Sequence, residues 1–392
     1  MADVQDPRSR RAEPATSCIQ RPRVIPTPIV NFSRNRRQEL ADLVESALRS
    51  KLFPGMELLV ARGDEPLLHE AWGLLEVGPE APPMRVGTVF DIASLTKPIG
   101  TATLLLVLAE QGKLTLEDRV SEAFPEFETP EKRGITIRHL LTHTSGLPAW
   151  ADFYSTPRGP AEALQRLLHT PLQHPTGTAM LYSDLGFLIL GELIRRVSGK
   201  SLREFFQRTV AHPLRLTQTA FKPLDEGIAG PFAPTQYCPW RKQLLRGIVH
   251  DENAFVFDGE GGNAGLFATA NDLWRFARML LNGGELDGVR VLAARTVSRM
   301  IANHNPPRLP PRGLGWDIKG EGSGYASCGE LMQPGAIGHT GFTGTSLWLE
   351  PESGFAVILL TNRVHMARER NQPEMVRFRP RLHNVVASMF GG

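Results

Sequence analysis

The sequence predicts an α+β fold in which both ends of the chain contribute strands to one sheet. Strand-like segments stand near both termini, and the segments between them show mainly helical periodicity. Near the N-terminus, residues 55–73 have the pattern of two strands, with Gly63 and Asp64 at the turn between them. Near the C-terminus, residues 344–351 and 355–363 are two further strand-like runs.

Helical periodicity indicates helices at four places, residues 95–111, 183–197, 271–282 and 375–389. The first of these is apolar on nearly every side, which is typical of a buried helix. A chain of 392 residues can bury a sizeable core, and we find no internal repeat.

Charge and hydropathy exclude two classes of function. The net charge is +3, but residues 1–37 contribute +5 of it, with eight arginines against three acids, and the remainder carries about −2. The basic character is therefore a property of the N-terminal end, and we predict no nucleic-acid partner. No apolar stretch is long enough to span a bilayer, so we predict no membrane span.

The N-terminal segment, residues 1–33, is rich in arginine and proline, and we predict a disordered basic tail. It lacks the apolar core of a secretory signal. Three scattered cysteines, Cys18, Cys238 and Cys328, do not form the pattern of a disulfide framework. Together these features predict a cytoplasmic protein.

Ser94 and Lys97 form an S-x-x-K motif where the buried helix 95–111 begins. Positions three apart share a helix face, so the hydroxyl and the amine can meet. A serine hydroxyl is a weak nucleophile at neutral pH and needs a base, a role that a desolvated lysine can take. Taken alone, the motif more often means a capping serine beside a solvated lysine. The apolar run after Lys97 favours a sheltered, catalytic lysine.

Two further motifs follow, Y-S-D at residues 182–184 and H-T-G at residues 339–341. In order and spacing, the three motifs resemble those of the serine β-lactamase and penicillin-binding-protein superfamily. The resemblance is greatest to its class C β-lactamase, DD-peptidase and family VIII esterase branch, and it runs from about residue 34 to the end. Other stretches similar to this family are residues 88–98, 110–120, 135–148, 182–202 and 263–284.

The resemblance implies an antiparallel sheet flanked by helices, with an inserted helical domain and an active site in the cleft between them. On this basis, residues 34–90 and 265–392 form the sheet domain, and residues 91–264 form the mainly helical domain. It also implies a serine hydrolase that forms an acyl-enzyme and needs neither a metal nor an organic cofactor.

The implied mechanism is attack of Ser94 on an ester or amide carbonyl, while Lys97 and Tyr182 share the proton. The sequence leaves open which of the two is the base. By the family pattern, the oxyanion lies between the backbone N–H groups of Ser94 and Phe342. The other residues expected on the substrate side are Asp184, His339, Thr340 and Gly341.

Two positions depart from the commonest family pattern. Asp184 stands where asparagine is frequent, and a carboxylate near Lys97 would raise the lysine pKa and shift the base role toward Tyr182. Alternatively, Asp184 caps the following helix. His339 stands where lysine is frequent, so we expect a residue only partly charged near neutral pH and a weak, pH-dependent hold on a substrate carboxylate.

Two neighbouring regions have alternative interpretations. His250 and Asn253 lie in a glycine-rich stretch, where they serve either the substrate side of the cleft or turn chemistry. Trp150, Phe153 and Tyr154 either line an apolar acyl pocket or pack against neighbouring elements.

We therefore predict a carboxylesterase or amide hydrolase whose partner is a small ester or amide. The enzymatic alternatives are a D-alanyl-D-alanine carboxypeptidase or D-aminopeptidase and a weak β-lactamase. A penicillin-binding sensor or scaffold is the non-enzymatic alternative, and the intact catalytic set argues against it. His139 and His143 share a spacing of four, but we predict no metal site because no third ligand accompanies them. The sequence leaves the oligomeric state open.

Overall fold

The computed structural model describes residues 32–155, 159–322, 326–366 and 371–390. The predicted basic tail lies outside these residues except for its last two positions, and Cys18 lies outside them as well. Among the described residues, no helix is both long enough and apolar enough to cross a membrane.

The described chain alternates between helices and strands of unequal length. The helices are α1 (Phe32–Arg49), α2 (Thr103–Glu110), α3 (Val120–Ala123), α4 (Ile137–Leu141), α5 (Pro160–Leu168), α6 (Asp184–Ser198), α7 (Leu202–Phe206), α8 (Glu252–Val256), α9 (Ala270–Leu281), α10 (Ala294–Ile301) and α11 (Gln372–Phe390). The strands are β1 (Gly55–Arg62), β2 (Glu65–Gly73), β3 (Phe90–Asp91), β4 (Ala220–Phe221), β5 (Tyr237–Cys238), β6 (Gln243–Leu244), β7 (Leu266–Ala268), β8 (Glu285–Leu286), β9 (Val289–Arg290), β10 (Asp317–Ile318), β11 (Ile337–Thr340), β12 (Ser346–Glu350) and β13 (Phe355–Thr361).

A six-stranded antiparallel sheet, in the order β10-β11-β12-β13-β1-β2, joins the two ends of the chain. The predicted strands at both ends are confirmed as β1, β2, β12 and β13. Gly63 has a positive φ of 55° at the turn between β1 and β2, which a glycine adopts without strain. The predicted α+β class is confirmed, whereas the predicted domain boundaries stay a prediction.

Both faces of the sheet are covered, which the side chains of β1 show. Met56, Leu58 and Val60 point into a core shared with α1 and α11, whereas Leu59 and Ala61 point into the larger core shared with α2, α6 and α9. This alternation follows from the two-residue repeat of a strand. Because the side chains on both faces of β1 are apolar, a shift of register by one residue would exchange them between the two cores. Apolar side chains would then become exposed to water only at the edges of the sheet.

The predicted helices at 183–197, 271–282 and 375–389 are confirmed as α6, α9 and α11. The segment predicted as one helix, 95–111, is instead three pieces: a 3-10 turn at Ala93–Leu95, a π-helix at Lys97–Ala102 and then α2. Pro98 lacks an N–H donor, and its carbonyl accepts the Thr103 hydroxyl at 2.9 Å, so the regular α-helical ladder begins later.

A small second sheet, in the order β3-β7-β4, fixes the start of this segment. β3 ends three residues before Ser94, and it pairs antiparallel with β7. The Ile92 N–H also donates to the Leu266 carbonyl at 3.1 Å. The serine turn is thereby held against β7.

Replacing Ile358 with alanine tests the central position of β13. This side chain is fully buried between the sheet and the larger core. We expect Ile358→Ala to lower the free energy of unfolding by about 2–5 kcal/mol, because transfer and cavity costs add. Urea titration measures the change, and Leu244→Ala on exposed β6 is the control, expected within about 0.5 kcal/mol of wild type. An equal decrease in the free energy of unfolding in the two variants would contradict the assignment of Ile358 to the buried core.

Candidate active site

Ser94 and Lys97 meet as the S-x-x-K spacing predicts. Lys97 Nζ lies 2.9 Å from Ser94 Oγ, and the lysine side chain is fully buried. Ser94 itself is partly exposed and lies in the 3-10 turn directly before the π-helix. Ala93, which precedes it, has a positive φ of 48°, an unusual conformation for a residue with a side chain. The turn therefore leaves the Ser94 hydroxyl partly exposed, whereas the Lys97 side chain beside it is shielded from water.

The Lys97 ammonium has three acceptors. Besides Ser94, it donates to Asp184 Oδ1 at 2.6 Å and to the Asn263 carbonyl at 3.0 Å. Burial opposes its charge most strongly, but the carboxylate of Asp184 and the Tyr182 phenol outweigh burial, and the pKa of Lys97 is raised. Lys97 is therefore charged at neutral pH.

Asp184 takes the position of an ion-pair partner rather than that of a helix cap. It is the first residue of α6, and Ser183 before it caps the helix by accepting the Gly186 N–H at 3.3 Å. The helix start favours a negative charge, and so does the lysine. Of the two interpretations of Asp184, the structure supports the contact with Lys97.

Tyr182 lies beside this pair. The pKa of its phenol is raised above the ordinary value, because burial outweighs the opposing charge of Lys97 and the hydrogen bonds to Lys97 and Ser94. Its ring packs against His143, with centroids 4.5 Å apart, and against His339 at 5.9 Å. The phenol thus faces Ser94 and Lys97 on one side and two imidazoles on the other.

His339 differs from the sequence-based expectation. It is 2 % exposed, its Nδ1 lies 2.8 Å from the Thr340 carbonyl, and it is absent from the lining of the cleft. Burial and then the charge of Arg312 hold the pKa of His339 well below its ordinary value. It is therefore neutral near pH 7 and not partly charged, because it packs behind Tyr182 instead of facing solvent.

The turn after β11 is tied to the serine turn. The Thr343 hydroxyl donates to the Asp91 carbonyl at 2.8 Å, and the Thr345 hydroxyl donates to the Ile92 carbonyl at 3.2 Å. A side chain at Gly341 would lie 2.1 Å from Thr345 Oγ1, so only glycine fits there. These bonds place the backbone of the H-T-G motif against the turn that carries Ser94.

Two buried arginines hold the carbonyls of the same turn. Arg379, from α11, donates to Gly341 O at 2.8 Å and to Thr345 O at 3.0 Å. Arg363 donates to Phe342 O, and its guanidinium lies 4.8 Å from the centre of the Phe342 ring. The turn is therefore fixed from both sides by charged donors.

The motifs open on a cavity of about 300 Å³. Its lining residues are Ala93, Ser94, Trp150, Tyr182, Asp184, His250, Asp251, Ala264, Thr340, Gly341, Phe342, Gln372 and Arg379. A second cavity, of about 410 Å³, lies beside α5 and α6 and contains none of the predicted site residues. The smaller cavity is the candidate active site because it alone of these two holds the S-x-x-K serine.

Comparison with known proteins agrees with this geometry. A profile of the beta-lactamase family matches residues 40–378. The chain belongs to the beta-lactamase family. It is a hydrolase of the serine β-lactamase type, as the sequence motifs predicted.

Curated members of the family give more detail. A "Putative D-alanyl-D-alanine carboxypeptidase" of Escherichia coli K12 is 30% identical over 366 residues, covering 82% of each chain. An "N-acetylmuramyl-L-alanine amidase" of Bacillus subtilis is 30% identical over 392 residues, covering 92% of this chain and 88% of that protein.

Solved structures share the fold. The hydrolase EstCE1, described as having promiscuous acyltransferase activity, matches with a TM-score of 0.68 and 22% identity over 89% of this chain and 99% of its own. A penicillin-binding protein homologue from Pyrococcus abyssi matches with a TM-score of 0.69 and 19% identity, covering 91% and 77%. At these identities the structures establish the β-lactamase/transpeptidase-like fold and nothing further.

The structure distinguishes the alternative interpretations of the residues around the cavity. His250 lines the cavity and stacks on Phe342 with ring centroids 5.7 Å apart. Asn253 is buried, donates to Ala151 O at 2.8 Å and accepts the Phe153 N–H at 3.1 Å, so it holds the neighbouring loop. Phe153 is 3 % exposed and is a packing residue, whereas Trp150 lines the cavity.

The histidines of the i, i+4 pair have separate roles. His139 Nδ1 accepts the Thr136 N–H at 3.1 Å at the start of α4. His143 Nδ1 accepts the Ser183 N–H at 3.0 Å and so supports the residue next to Tyr182. In the part of the chain that the structure describes, no cluster of three or more His, Cys, Asp or Glu side chains is placed to hold a metal.

Several charged residues of the site were missed in the sequence. Asp91 accepts the N–H groups of Ala93 at 2.8 Å and His250 at 2.7 Å, and burial raises its pKa to about 6. Asp251 caps α8, and burial, followed by the charge of Asp184, raises its pKa to about 6.

Three arginines of the site, Arg312, Arg363 and Arg379, were also missed in the sequence. Each is a single residue outside any motif, so local spacing carried no signal for them.

Replacing Asp184 with asparagine tests the ion pair. Without the carboxylate we expect the pKa of Lys97 to fall, because burial then acts unopposed by its main partner. We also expect the free energy of unfolding at pH 7 to fall by about 3 kcal/mol, since a buried ammonium loses its counter-charge. The pKa of Lys97 is higher in the folded protein than the 10.5 of the unfolded chain. The wild-type protein therefore has the full stabilisation from this ion pair below pH 10.5, and it loses that stabilisation only as the pH rises through the pKa of the folded state.

The measurement is urea titration between pH 6 and 11, with Asp184→Glu as the charge-conserving control. A wild-type-like stability of Asp184→Asn across this range would contradict the ion pair.

Proposed function

We propose that the protein is a carboxylesterase, with amide hydrolase activity on small substrates, that works through an acyl-enzyme on Ser94. The observation that carries this proposal is the placement of Ser94 Oγ, 2.9 Å from the buried Lys97 ammonium, at the cavity that Tyr182 also lines. A nucleophile, a cation and a phenol in contact are the parts that acyl transfer needs.

Tyr182 is the base in this proposal. The pKa of Lys97 is raised, so its side chain is an ammonium at neutral pH and has no lone pair to accept a further proton. The ionised fraction of Tyr182, small at neutral pH because burial raises the pKa of the phenol, takes the Ser94 proton as the bond from Oγ to the carbonyl carbon forms. The resulting phenol returns that proton to the leaving oxygen or nitrogen as its bond to the carbonyl carbon breaks.

Water then completes the cycle. It attacks the acyl carbon while Tyr182 accepts its proton, and the same proton returns to Ser94 Oγ as the ester bond breaks. The negative oxygen of each tetrahedral intermediate lies between the backbone N–H groups of Ser94 and Phe342. Arg363 and Arg379 hold the carbonyls on either side of that second N–H, which keeps the turn rigid during the reaction.

The charges around the cavity favour neutral substrates. Asp184 and Asp251 line it, and the neutral His339 lies behind it. Arg379 also lines the cavity, but its guanidinium is already held by two carbonyl oxygens. A substrate with a free carboxylate would meet the Asp251 carboxylate, and the Lys97 ammonium is already paired with Asp184, so an uncharged ester fits better than a peptide ending in D-alanine.

Aromatic side chains beside the cavity support an apolar substrate group. Trp150, Tyr154, Trp240 and Phe255, here called the aromatic rim, form a chain with ring centroids 6.4, 5.4 and 5.7 Å apart in that order. Trp150 is 48 % exposed, and Trp240 and Phe255 are 39 % and 38 % exposed. Connected exposed aromatic surface commonly marks a binding site. The rim starts in the cavity and suits an aryl or other flat apolar group.

D-alanyl-D-alanine carboxypeptidase activity is the second candidate. The relatives with that printed description favour it, and Arg379 is the cation of the cavity that a terminal carboxylate would approach. It ranks second because that carboxylate would have to compete with Gly341 O and Thr345 O for the guanidinium.

We further propose that the protein works in the cytoplasm. Cys238 and Cys328 are buried free thiols. Burial raises the pKa of Cys328 to about 12, which makes its thiol a structural and unreactive one. Thiols that stay unpaired suit a reducing compartment.

Replacing Ser94 with alanine tests the acyl-enzyme. We expect Ser94→Ala to lower kcat/KM for p-nitrophenyl acetate by at least about a thousandfold, because the nucleophile is lost. Mass spectrometry of wild type quenched during turnover should show an acetyl adduct on the peptide that contains Ser94, and the variant should show none.

Thr115→Ala is the control for handling and folding, since this residue lies outside the cavity lining. Turnover of D-alanyl-D-alanine peptides without ester turnover would favour the second candidate. A stable penicillin adduct without turnover of either substrate would favour a penicillin-binding sensor. An unchanged rate in Ser94→Ala would refute the acyl-enzyme on this serine.

Replacing Trp150 with alanine tests the aromatic rim. We expect kcat/KM for 2-naphthyl acetate to fall by about tenfold and that for ethyl acetate to change by less than about twofold, because only the naphthyl ring stacks. Tyr237→Ala is the matched control, an exposed aromatic residue on β5 that does not belong to the rim. Equal losses with the two esters would exclude a stacking role for Trp150.

A further inference from the structure

Arg312 is a buried arginine with unused donors. It is 4 % exposed, and its Nη1 contacts the Asp317 carboxylate. Its Nε and Nη2 atoms are buried without a hydrogen-bond partner among the described residues. Its backbone is fixed, because the Arg312 N–H donates to Asn303 Oδ1 at 3.0 Å and the His304 N–H donates to the Arg312 carbonyl at 2.8 Å. A buried guanidinium with two free donors is costly to keep, which calls for a reason.

The guanidinium faces the Tyr182 ring. Arg312 Cζ lies 5.7 Å from the ring centroid, which is within the range of a cation–π contact. Arg312 is not part of the cavity lining, and it is 4 % exposed. It acts on the reaction only through its neighbours.

The charged and titratable groups around Tyr182 come from five segments. Lys97 Nζ lies 4.9 Å from the ring centroid, and its charge is balanced by Asp184, which in turn lies in the field of Asp251. The other titratable neighbours are the imidazoles of His143 and His339.

Both imidazoles are neutral. Burial and then the charge of Arg312 hold the pKa values of His143 and His339 well below the ordinary value. Burial lowers the pKa of Arg312 itself to about 10, so it remains charged at neutral pH. Arg312 is therefore a second cation near the Tyr182 ring, besides Lys97.

We propose that Arg312 is a positioning residue that stabilises the negative form of Tyr182, in place of the cation that a lysine at position 339 would supply. The inference rests on the proposed function, in which the Tyr182 phenolate is the base. A positive charge above an aromatic ring attracts a phenolate more strongly than a phenol, because the added negative charge is spread over the ring. With a neutral histidine in the H-T-G motif, the guanidinium compensates for the missing charge.

The test compares Arg312→Gln, which removes the charge, with Arg312→Lys, which keeps it. The first readout is the pH profile of kcat/KM for p-nitrophenyl acetate between pH 6 and 10. In Arg312→Gln we expect the rising limb to move to higher pH and the rate at pH 7 to fall roughly ten- to a hundredfold. Arg312→Lys should stay close to wild type, and adding His339→Lys to Arg312→Gln should move the limb back.

The second readout needs no turnover. The chain has four tyrosines, so ¹³Cζ-tyrosine labelling gives few NMR signals, and Tyr182→Phe identifies the one of interest. We expect the pKa of Tyr182 to rise in Arg312→Gln, and to fall or stay unchanged in Asp317→Asn, which removes the carboxylate that partly balances Arg312. A raised Tyr182 pKa without ester turnover in wild type would support the electrostatic role while refuting the proposed function.

Two results would overturn the inference. One is ester turnover with the same Tyr182 pKa and the same pH midpoint in wild type and Arg312→Gln. The other is an equal loss of rate at every pH in both Arg312→Gln and Arg312→Lys, which a purely structural arginine would produce. Thermal unfolding of each variant distinguishes loss of fold from loss of rate.

Discussion

The buried ammonium of Lys97 is the constraint on which the rest of the site depends. A buried charge needs a counter-charge and an acceptor for each donor. Here the neighbouring Ser94 and two residues distant in sequence, Asp184 and Asn263, supply them. This requirement fixes the start of α6 against the π-helix. Tyr182, two residues before the helix, is thereby placed beside the serine. One buried charge thus assembles the catalytic set.

The other positively charged side chains near the site contact the backbone and the side chains that surround the cavity. Arg363 and Arg379 hold carbonyls of the turn after β11, and Arg312 lies near the Tyr182 ring. As a result, the cavity wall carries carboxylates and aromatic rings, and its cations serve the geometry. Under the proposed function, this distribution of charge favours neutral substrates.

The sequence was informative where chemistry depends on local spacing. The S-x-x-K spacing predicted that Ser94 and Lys97 meet, as they do, and strand-like runs located four of the six strands of the central sheet. The sequence was uninformative about properties that depend on packing between segments distant in the chain. The charge state of His339 follows from burial, and Arg312 reaches Tyr182 through a loop with no recognisable pattern. The π-helix was missed because the segment is buried and apolar on nearly every side, so no periodicity distinguishes it from an α-helix.

The sheet shared by both ends of the chain has a consequence for synthesis. The bond from Thr343 to the Asp91 carbonyl joins residues 252 positions apart, and β1 pairs with β13 along its whole length. On the ribosome, the serine turn emerges long before the strands that flank it, so β1 stays an open edge until the chain is nearly complete. The turn that carries Ser94 therefore reaches its final surroundings only after the C-terminal strands have been synthesised.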